Sequence, residues 1–508
     1  MAITIVKQIA SGKLLPAFNH QNFTLNSNMN GQCNFRYLTD VYVNGVFRFR
    51  LKTFPDPQTG FGFIQIGRVV EDYIANWTPS DDNPGVSKIA TTTPGPYLEV
   101  YCKFGEEYDG TSGCTGAVNQ FPNLATSNTY RVWNAAVDYE NYPSFDSTKY
   151  TIGTASSTTS QFLTLAPRTI DVYLNDSYNL TFYSASKPHS ARITLYKENG
   201  TTNTIYITGT GSNAGLWSLA CGPYQILKQS STVNLWPNGA YSTITPLITC
   251  ATTKYEVTLM NSATQSVSET FTFNLKSPKE FRTRLAWTGQ YGNPERYTFY
   301  HRNRKSYTIQ RTEFNRNQFS NIANEWTYQV GDRGRTSLTN TSQEVHSVST
   351  FARKEDSEFM TSLWRSNNVW VEQQPRIFRW RVFRQASKMI FQVPPDLNLK
   401  AGDQFWTVVN EVQNTTWGEY NGKFTVASVS GPNNVYVDCN LTYSAGFPPF
   451  GGGNATTEAS GIGIVIEPYV KLPIIITDQS VEVSQRTNRP VTYQINYEMA
   501  FEKNTIKS

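Results

Sequence analysis

The stretch 350–373, TFARKEDSEFMTSLWRSNNVWVEQ, holds the clearest helix signal in a chain that otherwise reads as strand and turn. Phe359, Met360, Leu363 and Trp364 recur at the spacing that gathers apolar side chains on one helical face. Glu355, Asp356 and Glu358 fall early, where the positive end of a helix favours carboxylates, and Ser349 or Thr350 is placed to cap it. The spacing predicts one short amphipathic helix over about 352–365. Val369, Trp370 and Val371 follow at once and have strand character, so the helix is expected to bury its face on a sheet whose other strands come from elsewhere.

Working outward, the last strand-like runs, 470–476, 482–484 and 492–501, are too short to form a core alone. They are expected to pair with the sheet behind the helix, which makes 280–387 and 464–508 one split α+β domain. Residues 388–463 change character. Their short strands, with turns at Gly402 and Asp403 and at Asn421 and Gly422, predict an inserted small β-barrel of SH3-like or OB-like type.

At 508 residues the chain is expected to hold about four domains. Aromatic content of 14% and charge of only 16%, with abundant Thr, Ser, Asn, Gly and Pro, fit many short strands joined by polar turns. The fold class is mainly β and multi-domain: β-sandwiches of immunoglobulin-like or fibronectin-like type, plus the split domain with its barrel. Residues 1–105 read as an N-terminal sandwich, with Asn44 and Gly45 as a two-residue hairpin turn and a short helix or turn in 64–75. Residues 106–168 lack a sustained period and read as an extended loop or arm ordered by a neighbour. Residues 169–279 alternate apolar and polar positions through six runs and read as a second, immunoglobulin-like sandwich.

The six cysteines, Cys33, Cys102, Cys114, Cys221, Cys250 and Cys439, show none of the short paired spacings of zinc or redox sites and are expected to be free, buried thiols. His20, His189, His301 and His346 stand apart, without HExxH or HxH spacing, so no metal is expected. No GxSxG, no phosphate-binding GxxxxGK[ST] and no GxGxxG between a strand and a helix is present. Asp40, Glu71, Asp72, Glu106, Glu107, Asp138 and Glu140 are available as paired carboxylates, but spacing favours no pair. The expectation is a non-enzyme without cofactors. No run approaches the ~20 apolar residues of a membrane span.

The net charge of +5 is small, but its distribution is uneven. Between 276 and 316, ten cations, Arg282, Arg284, Arg302, Arg304 and Lys305 among them, meet only Glu280, Glu295 and Glu313. Arg376, Arg379, Arg381, Arg384 and Lys388 then come without an acid. The alternation RIFRWRVFR at 376–384 would put most of these arginines on one side of a strand. Such residues suit a solvated face, an acidic protein neighbour, or DNA and phosphate.

The runs PAFN at 16–19, NFRY at 34–37, DVYVNG at 40–45, LKTFPDP at 51–57, GFG at 60–62 and IGRVVEDY at 66–73 resemble the opening domain of virion proteins from tailed phages of Bacteroidota, crAss-like phages included. WRSNNVWV at 364–371 and PIIITDQS at 473–480 are similar to segments of the same proteins. The resemblance implies a structural, ring-forming subunit of the tail or connector apparatus around the DNA channel, supporting genome ejection or host attachment. Its partners would be copies of itself, other tail, portal or hub proteins, and DNA in the channel. Its place would be the virion tail, after assembly in the host cytoplasm. The alternative expectation is a surface adhesin or carbohydrate-binding module that binds host surface glycans, with Trp77, Trp217, Trp236 and Trp417 as sugar-stacking platforms.

Overall fold

The computed structural model describes residues 3–74, 89–90, 97–111, 114–153, 155–174, 176–184, 190–208, 215–226, 248, 251–277, 282–315, 319–322, 325–328, 335–372, 377–385, 388–394, 397, 399–409, 422–431, 435–442, 457–466, 471–478 and 491–500. The protein is mainly β, built from several sheets, and divides into two compact units. One comprises Met1–Pro278, Thr288–Glu295 and Gln374–Pro468; the other comprises Lys279–Trp287, Arg296–Gln373 and Tyr469–Ser508.

In the first unit the N-terminal sheet runs in the order Leu14–Pro16, Tyr130–Trp133, Tyr97–Asp109, Cys33–Val43, Val46–Thr53, with Asn119–Thr126 also on Tyr97–Asp109. A three-stranded sheet of Ile3–Lys7, Asn22–Ser27 and Gly62–Gln65 shares its core, where Phe23, Leu25, Tyr37, Val41, Ile64, Val100, Phe104 and Tyr130 meet. Asn44 and Gly45 both take positive φ, 50° and 77°, as the tight hairpin between Cys33–Val43 and Val46–Thr53 requires. The short helix Gly67–Glu71 follows and buries Val70.

Two expectations fail in this region. Residues 106–168 are not a loop or arm: Tyr97–Asp109 continues through 106, Asn119–Thr126 pairs with it, and Tyr130–Trp133 lies between it and Leu14–Pro16. A register shift between Phe104 and Glu106 interrupts the ladder, and Asn123, inside Asn119–Thr126 at that irregularity, takes φ 62°. Together these break the period that would have marked the strands. Nor are all the cysteines free, because Cys33 and Cys114 form a disulfide, with Cα atoms 5.2 Å apart. The two are 81 residues apart in sequence, but antiparallel pairing sets Cys33 opposite Asp109, so the chain beyond that strand returns to it. Cys102 and Cys221 are free and buried, Cys439 is free and half-buried, and Cys250 lies outside the described residues.

Further along the same unit, the sheet Thr151–Ile152, Asn179–Ser184, Gly215–Ala220, Ile89–Ala90 packs on a second of order Thr169–Tyr173, Phe271–Lys276, Thr252–Met260, Ser190–Lys197, Thr202–Thr208. Aromatic rings fill the space between them: Phe162 lies edge-on to both Phe182 and Phe271, and Tyr178 to Phe273. The part of this unit in 374–468 forms a seven-stranded sheet, Gly422–Thr425, Gln404–Val409, Thr457–Ile466, Ile377–Gln385, Lys388–Gln392, Tyr436–Thr442, Ser428–Ser430. Ile377–Gln385, read from the sequence as the end of the preceding domain, is hydrogen-bonded inside this sheet on both sides.

The second unit is built on a seven-stranded sheet: Pro294–Phe299, Thr283–Thr288, Val369–Glu372, Lys471–Ile476, Val491–Met499, Arg335–Ala352, Arg302–Asn315. The C-terminal strands thus sit in its middle, with Val369 opposite Ile474 and Thr350 opposite Tyr493. The helix Ser357–Arg365, after a 3-10 turn at Lys354–Asp356, buries Phe359, Met360 and Leu363. Each burial is worth roughly 2 kcal/mol. Trp287 lies on Phe359 at 5.2 Å and donates to Ser362 Oγ at 2.9 Å. The helix starts later than the sequence predicts, and neither Ser349 nor Thr350 caps it. Both lie in the Arg335–Ala352 strand and are buried, held extended by their pairing with Val491–Met499.

Candidate assembly interface

The cationic residues singled out from sequence fall in different settings. Arg284 faces no partner surface: it is buried and donates through Nε to Glu372 at 3.0 Å and through Nη1 to Thr298 at 3.0 Å. Arg296 joins it, with Nε 2.7 Å from the other Glu372 oxygen. Burial alone would raise the Glu372 carboxyl, but Arg296, then Arg284 and Lys471, outweigh burial and hold it well below the usual carboxylate range. These arginines therefore knit strands Thr283–Thr288, Pro294–Phe299 and Val369–Glu372 together. Arg282 is half-buried just before the first of them.

Arg379 and Arg381 are exposed on Ile377–Gln385, alternating with buried Phe378, Trp380 and Val382, as the alternation predicts. Arg376 lies outside the described residues, as does the side chain of Arg384. Arg379 and Arg381 belong to one unit, and Arg282, Arg284, Arg302, Arg304 and Lys305 to the other.

Arg302, Arg304 and Lys305 open the strand Arg302–Asn315, in which every residue is exposed. Among the described residues it is the last strand of its sheet and pairs with Arg335–Ala352 along its whole length, whereas Val491–Met499 reaches only from His346 to Ala352. Residues 306–315 therefore run on as a two-stranded ribbon for about 33 Å. Beyond them, Phe319–Ile322 pairs with Glu325–Tyr328. Tyr307 is 59% exposed, Ile309 53% and Phe314 43%. Lys305 Nζ lies 2.6 Å from Glu344 and 5.1 Å from the centre of the Tyr307 ring. At the root of the ribbon His346 stacks on Tyr497 at 5.1 Å and bonds Glu344 at 2.8 Å.

A two-stranded ribbon of this length buries little of its own surface, and Tyr307, Ile309 and Phe314 stay exposed on it. Its outer edge offers main-chain donors and acceptors to an incoming strand. Tyr307, Ile309 and Phe314 drew no notice in the sequence. A run of fourteen residues without Gly or Pro, alternating Lys305, Tyr307, Ile309 and Arg311, was the available sign.

Three of the carboxylates considered for catalysis make ordinary structural pairs: Asp40 accepts from two guanidinium nitrogens of Arg50, Glu107 takes Lys52 and Arg36, and Glu106 accepts from Ser27. Glu295, read from the sequence only as a counter-charge to the cations of 276–316, is fully buried and accepts from Thr164 at 2.5 Å and Tyr178 at 3.4 Å. Burial pushes its carboxyl up to about 7, with these donors offsetting only part of the effect. Trp217, expected as an exposed sugar platform, is 1% exposed, with both neighbouring strands packed around it; Trp77, Trp236 and Trp417 lie outside the described residues. Among the described residues no group of three His, Cys, Asp or Glu could hold a metal ion, and no helix is long and apolar enough to cross a membrane. No protein-family model matches the chain, and comparison with curated proteins gives no match.

Proposed function

We propose that this chain is a structural subunit of a bacteriophage virion, a ring-forming part of the tail or connector apparatus that works by assembly around the DNA channel and turns over no substrate. The sequence resemblance at both ends of the chain supports the virion setting. The observation that carries the assembly reading is the ribbon, solvent-exposed along the whole Arg302–Asn315 strand and bearing Tyr307, Ile309 and Phe314. Further domain assignments accompany this reading. Parallel pairing of Thr169–Tyr173 with Phe271–Lys276 at the edge of an otherwise antiparallel sheet supports an immunoglobulin-like sandwich. In the 374–468 sheet, Phe424 of the first strand and Val429 of the last pack against one core, which supports a small curled barrel.

Arg379 and Arg381, exposed beside each other, are the residues this reading turns towards DNA or an acidic neighbour. The alternative, a receptor-binding adhesin, has lost Trp217 as a platform. Negative-stain imaging of the purified protein, run beside a glycan array, separates the two. Closed rings or larger assemblies with a blank array support the virion subunit. Strong glycan binding by a protein that stays monomeric would replace it with the adhesin.

A further inference from the structure

The outer edge of Arg302–Asn315 is unusually well suited to pair with itself. Sheet edges are ordinarily blunted by charged side chains, proline, a bulge or a short strand, and this one carries Arg302, Arg304, Lys305, Arg311 and Glu313, charges that any added strand must match. This strand has fourteen residues and neither Gly nor Pro. The irregularity in its pairing lies on the opposite strand, where Thr312 faces Thr339 and Glu313 faces Ser337, so Leu338 is the extra residue. No bulge therefore interrupts Arg302–Asn315 itself.

We propose that this edge is completed by the same strand of a second copy of the chain, added antiparallel with Ile309 on the two-fold axis. Directly opposite residues of an antiparallel pair project to the same face, their Cβ atoms roughly 5 Å apart. In this register Ile309 meets Ile309, Lys305 meets Glu313, Tyr307 meets Arg311, Arg304 meets Phe314 and Thr308 meets Gln310. Each of those cations thus faces an acid or an aromatic ring, and symmetry makes every such contact twice. Neighbouring registers lose this match. With Thr308 on the axis, Lys305 falls against Arg311 in both copies; with Gln310 on the axis, Lys305 falls against Asn315 and no ion pair forms.

Complementarity of charge and shape along one strand selects a second copy over an unrelated extended peptide, for which nothing in the strand sets a register. The contact is isologous and closes after two copies, so a ring needs a second, different interface. The inference names the partner of the ribbon and rests on the assembly reading above.

The test uses the full chain with single cysteines on exposed positions. Ile309→Cys sets two thiols face to face across the axis, and mild oxidation should give a disulfide-linked dimer within minutes. Ser306→Cys is the control: its opposite number is Thr312, which leaves the two thiols about 20 Å apart. The unsubstituted chain reports any linking by its native cysteines. Ile309→Lys, on the same exposed position, should shift the self-association measured by sedimentation at least tenfold towards monomer, with an unchanged circular dichroism spectrum. If Ile309→Cys links no faster than Ser306→Cys while the chain still associates, the self-pairing is wrong and the assembly reading stands. If the unsubstituted chain sediments as a monomer at every concentration, both are wrong.

Discussion

Replacing Glu295 by Gln should make one unit of this protein more stable in neutral and alkaline solution and leave it nearly unchanged in acid. The folded carboxyl sits near 7 against an ordinary value of 4.5, because it is wholly buried and the donors from Thr164, Asn293, Tyr178 and the Leu165 backbone only partly offset that burial. A raised folded value means that the folded state binds the proton more tightly than the unfolded chain. Its contribution is therefore fully present below pH 4.5, falls as pH rises, and is lost once pH passes 7. A difference of about 2.5 pH units corresponds to about 3 kcal/mol. The side-chain amide introduced by Glu295→Gln keeps an acceptor for Thr164 and carries no charge to bury. Because the chain has two units, one unfolding curve would mix them. Hydrogen exchange of peptides covering Asn179–Ser184 and 289–295, followed through urea, reads the relevant unit alone. At pH 8 the variant should resist opening by up to about 3 kcal/mol more than the parent, and at pH 4.5 the two should agree within about 1 kcal/mol. A variant weaker than the parent at pH 8, or a difference that does not change with pH, would refute the reasoning.

Glu372→Gln should be the opposite case. It leaves the buried guanidinium groups of Arg284 and Arg296 without a counter-charge, at a cost of about 3–5 kcal/mol, seen as earlier urea exposure of peptides from the second unit. The doubly substituted Cys33→Ser, Cys114→Ser chain should lose about 4 kcal/mol in the N-terminal sheets, since the bridge closes a separation of 81 residues. A reductant should weaken the parent by the same amount and leave that variant alone. Glu372 and Lys471 stand directly opposite each other, so replacing 373–470 by Asn-Gly should close a hairpin and leave the second unit's sheet folded. Cutting only 388–463 strips Ile377–Gln385 of both neighbours and should give an aggregating product.

Local chemistry was legible wherever one short stretch settles the matter. Asn44 and Gly45 announce their hairpin because few residues accept positive φ twice in succession. Phe359, Met360 and Leu363 announce a helical face, and the alternation around Trp380 places Arg379 and Arg381 outside. What could not be read depends on partners far away in the chain. Arg284 and Arg304 look alike in a run of cations, yet Glu372, 88 residues on, draws Arg284 inside, while Arg304 meets solvent. Cys33 and Cys114 meet only because two strands pair. Ser349 and Thr350 have the chemistry of a cap, but the ladder to Val491–Met499 claims them first. The exposure of Tyr307 and Ile309 was not legible, since nothing in their neighbourhood says that their strand lacks a sheet to cover it.

The central claim, that this protein acts by assembling through its ribbon, is tested most directly by removing the ribbon. Lys305 and His346 are opposite each other, so 306–345 can be replaced by Asn-Gly to shorten the hairpin to its root. Mass photometry of the parent and the shortened chain over one concentration series should show the parent forming defined assemblies and the folded, shortened chain shifted to smaller masses, without the step that joins copies in pairs. Identical mass distributions for the two, whether both assemble or neither does, would contradict the account.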